Sequence, residues 1–86
     1  MEGAIITLRL EEGEFECDME VSPNTPCKEL ANQIAEILRH FNPLAANRLG
    51  AKPYLKTTNG ERLLDGVGLG RQGLWDGSII ILSNEE

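Results

Sequence analysis

The sequence predicts an α+β domain in which a mixed five-stranded sheet packs on one long helix. Three observations carry this. Residues 15–21 alternate strictly between apolar and acidic, residues 27–41 place apolar side chains at helical spacing, and a strand-forming run, Ser78-Ile79-Ile80-Ile81-Leu82, lies near the end. The 86 residues suffice for a single domain, 1–86, with a modest core and little room for a buried catalytic cavity.

The elements follow in order. Residues 4–10 predict a strand with Ile6, Leu8 and Leu10 inward, and Glu11-Glu12-Gly13 predicts the turn after it. In the second strand Phe15, Cys17, Met19 and Val21 point one way, and Glu14, Glu16, Asp18 and Glu20 point the other. Such alternation marks a strand with one wet face. It gives the hairpin an acidic outer edge, which discourages edge-to-edge pairing. Thr25 is the expected N-cap of the helix, with Pro26 at its first position, where a missing N–H costs nothing. Cys27, Leu30, Ala31, Ile34, Ile37, Leu38 and Phe41 then form one apolar stripe. Glu29 at the start, and Arg39 and His40 at the end, complement the helix dipole. Asn42-Pro43 stops the helix, and residues 44–50 predict a short further turn ending at Gly50. Residues 54–57 predict a strand that turns at Asn59-Gly60 and returns as a short fourth strand, Arg62-Leu63-Leu64. A glycine-rich loop anchored by Leu69 and Leu74 leads through Asp76-Gly77 into the last strand.

Composition excludes several functions. The chain is 41% hydrophobic and 26% charged, as expected of a folded domain. With 14 acidic against 8 basic residues and a net charge of −6, it lacks the clustered basic surface that nucleic acid requires. The same charge disfavours adsorption to anionic lipid. No apolar run approaches the roughly 20 residues of a membrane span, so direct membrane insertion is not expected. The N-terminus lacks the basic and apolar regions of a signal peptide, and the expected location is the cytoplasm.

No metal site or cofactor is expected. The two cysteines, Cys17 and Cys27, form no CxxC, and His40 is the only histidine. Both cysteines fall at core-facing positions and read as reduced core residues, although the sequence leaves their pairing open. Neither has an activating base beside it in sequence, so a thiol enzyme is not expected. His40 reads as a helix-end residue. Gly66, Gly68 and Gly70 lack the following Lys-Ser/Thr of a phosphate loop and do not open a helix.

The β-β-α-β-β-β order is the β-grasp arrangement. Together with Leu63-x-Asp65-Gly66-x-x-Leu69 and Leu74-x-x-x-Ser78 before the last strand, it resembles ubiquitin. The chain also resembles the EsaB/YukD family, the small ubiquitin-like proteins of bacterial type VII (WXG100) secretion systems. That likeness rests on the acidic second strand, on Pro23-Asn24-Thr25-x-Cys27-Lys28-Glu29-Leu30 with Pro26 completing it, and on Leu74-Trp75-Asp76-Gly77-Ser78-Ile79-Ile80. The resemblance implies a non-enzymatic, cytosolic accessory protein that docks on the membrane-bound secretion machinery or a regulator. Ubiquitin-like modifiers and sulfur carriers end in Gly-Gly, and no such pair occurs here. Glu61 and Asp76 fall near ubiquitin's two most-used chain-forming lysines, leaving only Lys28, Lys52 and Lys56. Conjugation is therefore not expected. An accessory subunit of an unrelated complex, such as an oxygenase, remains the alternative, with a modifier or sulfur carrier behind it.

The interaction candidates follow from the last strand, which is apolar on both faces. With Ile80 and Leu82 in the core, Ile79 and Ile81 lie on the opposite side, flanked by Ile5 and Thr7 and by Tyr54 and Lys56. Isoleucine also favours strands regardless of partners, so such a run alone does not make an interface. Trp75 is expected to be exposed before the last strand, either as a binding anchor or as a lid folded over the glycine-rich loop. A self-complementary patch would instead make a twofold homodimer.

Overall fold

The computed structural model describes residues 3–11, 14–47 and 49–85. Strands β1 (Ala4–Leu10) and β2 (Glu16–Val21) form an antiparallel hairpin. Helix α1 (Cys27–Phe41) follows, then a single helical turn α2 (Pro43–Ala46), strand β3 (Pro53–Lys56) and strand β4 (Ile79–Asn84). The sheet order is β2-β1-β4-β3, with β4 parallel to β1 and antiparallel to β3. Two of the expected hairpin-turn residues, Glu12 and Gly13, lie outside the described residues.

The core is the helix-facing side of this sheet. Ile6, Leu8, Leu55, Ile80 and Leu82 project from the strands to meet Leu30, Ile34 and Leu38 of α1. Fully burying each such side chain contributes about 1.5–3 kcal/mol, which is why the alternation of β1 and β4 fixes their register. Leu10, Phe15, Cys17 and Met19 reach this core only half-buried.

The sheet has four described strands, not five. Arg62-Leu63-Leu64 makes only an isolated bridge, between Lys56 and Arg62. Leu63 N–H still donates to Leu55 O at 2.9 Å. Beyond it, the Gln72 side chain takes both backbone groups of Leu64: its Oε1 accepts from Leu64 N at 2.8 Å, and its Nε2 donates to Leu64 O at 3.4 Å. A side chain thus replaces the next strand rung.

The start of α1 also differs from expectation. Pro26 is the cap residue rather than the first helical one, and no side chain caps the helix, so Thr25 does not serve. Backbone carbonyls from the glycine-rich loop do so instead. Cys27 N–H donates to Val67 O and Lys28 N–H to Asp65 O, both at 3.0 Å. Gly68 fits this loop against the helix entry, since a Cβ there would lie 2.4 Å from Pro23 O.

At the other end, Asn42 closes α1 as expected, its N–H donating to Leu38 O at 2.7 Å. Its side chain then caps α2, Oδ1 accepting from Ala45 N at 3.2 Å, and Pro43 opens that turn. The turn ends at Asn47 rather than at Gly50. The helix stripe needs one correction: Ala35 is fully buried, whereas Ile37 and Phe41 are 45% and 79% exposed. They lie on the margin of the face defined by Leu30, Ile34 and Leu38, where the sheet no longer reaches.

Candidate protein interface

The face of the sheet opposite α1 has no described element over it. Strand pairing sets its rows. Ile5 lies beside Glu20, Thr7 sits between Asp18 and Ile79, and Arg9 lies between Glu16 and Ile81. Lys56 flanks Ile81 on the other side, and Tyr54 sits beside Ser83. Acids thus line the β2 flank, Thr7 and Arg9 on β1 adjoin Ile79 and Ile81 on β4 in the middle, and Tyr54 and Lys56 stand on the β3 flank.

The residues expected on this face divide into two groups. Ile5, Ile79, Ile81, Tyr54 and Lys56 are brought onto it together, with Ile5 54% exposed and the other four half-buried. Lys56 is held by the Glu11 carboxylate, which also accepts from Ser83 Oγ at 2.8 Å. These bonds, that from Lys56 foremost, hold the Glu11 carboxyl below its ordinary value. Lys56 is therefore a neutralised rim residue. Trp75 stands apart. It is 56% exposed, yet its ring lies over Gly70, where a Cβ would come within 2.9 Å of the indole. The ring thus covers part of the glycine-rich loop while the residue still presents surface. Its neighbour Asp76 ties it to the face, Oδ1 accepting from Ile5 N at 2.7 Å, while Gly77, at φ 86°, donates its N–H to Ile5 O.

Sequence reasoning missed other members. Arg9 lies in the middle row, bound to Glu16 at 2.7 Å. Arg62 stacks 4.3 Å over Tyr54 and pairs with Glu85 at 2.6 Å and Asp65 at 3.2 Å. Exposed pairs of this kind contribute about 0–1 kcal/mol, so they orient side chains more than they stabilise the fold. The exposure of Ile37 and Phe41 on α1 and of Leu44, 88% exposed on α2, also went unrecognised.

Nucleophilic chemistry finds little support. Burial pushes the Cys27 and Cys17 thiols up, against thiolate formation, and both are free cysteines. Among the described residues no cluster of His, Cys, Asp and Glu could hold a metal ion, and no helix is long and apolar enough to cross a membrane.

No protein-family model matches the chain, and no curated protein does. Solved structures match well. The ubiquitin-like domain of EccD5 from Mycobacterium xenopi superposes with a TM-score of 0.83 at 16% identity, spanning 100% of this chain and 98% of that one. A chain of the ESX-5 inner membrane complex matches with a TM-score of 0.81 at 16% identity, covering 99% of this chain and 21% of its own length. A chain of the toluene 4-monooxygenase HD complex matches with a TM-score of 0.77 at 13% identity, over 96% of this chain and 99% of that one. At such identities the likeness establishes the architecture: the chain has a ubiquitin-like β-grasp fold.

Proposed function

We propose that this chain is a non-enzymatic docking module, a cytoplasmic component of a type VII-like secretion machine that binds a protein partner through its open sheet face. The observation that carries the docking is that Ile5 is exposed and Ile79 and Ile81 only half-buried on one sheet face, which no described element covers. Contiguous apolar surface on a small domain marks interaction sites. The secretion assignment is supported by the likeness to the EccD5 domain and to a chain of the ESX-5 inner membrane complex. Kinship with the EsaB/YukD proteins rests on the motifs of residues 23–30 and 74–80. The partner is then the membrane-bound assembly or a regulator of it.

The test is a pull-down from detergent-solubilised native lysate, comparing wild type with a Trp75→Ala/Ile81→Asp variant and identifying bound proteins by mass spectrometry. Recovery of secretion-machine components by wild type alone supports both assignment and face. Equal recovery by the variant overturns the face. The toluene 4-monooxygenase likeness favours a second reading, an accessory subunit of an enzyme complex, which recovery of such a complex would establish instead. A twofold dimer through the same face would appear as a doubled mass in sedimentation.

A further inference from the structure

We infer that the open edge of β2 is a second docking site, one that accepts an extended protein segment of alternating basic and apolar residues as an added strand. β2 ends the sheet, with β1 on its inner side and no described strand beyond it. The direction of its free backbone groups follows from β1. Thr7 N–H donates to Ser78 O, and Ile5 O accepts from Gly77, so the backbone of Ile5, Thr7 and Arg9 faces β4. Their partners Glu20, Asp18 and Glu16 are then the non-hydrogen-bonded members of the antiparallel ladder. The N–H and C=O groups of those three residues point out from the edge.

This register decides what fits. A strand added there places alternate side chains on the outer face, beside Glu16, Asp18 and Glu20, all exposed. Lysine or arginine at those positions meets opposite charge across the pair. Its intervening side chains fall on the inner face beside Phe15, Cys17 and Met19, apolar residues that the core leaves half-buried. Apolar side chains there complete that burial. The same acids repel the edge of a second copy, so the edge selects a basic strand and rejects its own kind.

The probe is a short capped peptide alternating lysine and valine, with a glutamate–valine peptide as control, titrated into the isotope-labelled chain. Binding should move the amide resonances of Glu16–Val21 and slow hydrogen exchange at Asp18 and Glu20 at least about tenfold. An Asp18→Lys/Glu20→Lys variant should lose the basic peptide and take the acidic one. A folded Asp18→Pro variant, lacking the outward N–H, should bind neither. Absence of binding, binding that charge reversal leaves unchanged, shifts confined to Ile79 and Ile81, or unfolding of Asp18→Pro would each overturn the proposal. The first two outcomes leave the docking role of the open face standing, because Ile5, Ile79 and Ile81 are unchanged in every variant.

Discussion

Strand β4 offers a comparison of the two faces of the sheet within one run of isoleucines. Ile80 is fully buried beneath α1, whereas Ile79 and Ile81, its immediate neighbours, remain half-exposed on the other side. Chemistry is the same and backbone is continuous, so only the covering element distinguishes them. On the covered face an isoleucine is a stability residue. On the open face it is available surface, and its removal should register in binding.

The largest expected effect tests the covered face directly. Ile80→Ala removes a fully buried side chain and should cost about 2–5 kcal/mol, lowering the melting temperature by about 10–30 °C. A drop of a few degrees would mean the two faces are not as different as their burial indicates. Gly68→Ala probes how the helix is held on that face. The added Cβ meets Pro23 O, which cannot yield freely because it also accepts from Gly70 N–H at 3.0 Å. A loss of about 1–3 kcal/mol is expected in chemical denaturation.

On the open face the expected effects on stability are smaller. Glu11, bound to Lys56 and Ser83, has a carboxyl pKa lowered below its ordinary 4.5. Its contribution is therefore complete above that value and lost as pH falls through the lowered folded-state value. Melting curves of wild type and Glu11→Gln should differ near neutrality and converge in acid, and a gap that persists in acid would assign the difference to something other than this charge. Smallest of all, Ile81→Asp should cost no more than about 1 kcal/mol, since the new carboxylate lies between Arg9 and Lys56. Unfolding by Ile81→Asp would show that its side chain belongs to the core.

Much of this contrast was legible in the sequence. Period-two alternation separated Ile6 and Leu8 from Ile5 and Thr7, and placed Ile80 and Leu82 opposite Ile79 and Ile81, because side-chain direction in a strand follows from backbone geometry alone. The gathering of Ile5, Tyr54, Lys56, Ile79 and Ile81 on one face followed from that alternation and the β-grasp order. That Arg62-Leu63-Leu64 does not form the expected strand was not legible, because Leu64 satisfies its backbone groups with a side chain eight residues away. Nor were Ile37 and Phe41, whose helical spacing fits the core stripe while the sheet stops short of them.

The sequence by itself determined four of the strands, the long helix, their facing and the acidic row along β2, since each depends on local periodicity and on residue type. Tertiary structure alone decided how α1 is capped, by the carbonyls of Asp65 and Val67 in place of Thr25, and how Leu64 is satisfied. It also decided that Lys56 is bound to Glu11 and that Trp75 lies on Gly70. The reason is physical. A buried or half-buried polar group takes whichever partner the fold brings within hydrogen-bonding distance, and residues distant in sequence become neighbours only once the chain has closed around its core.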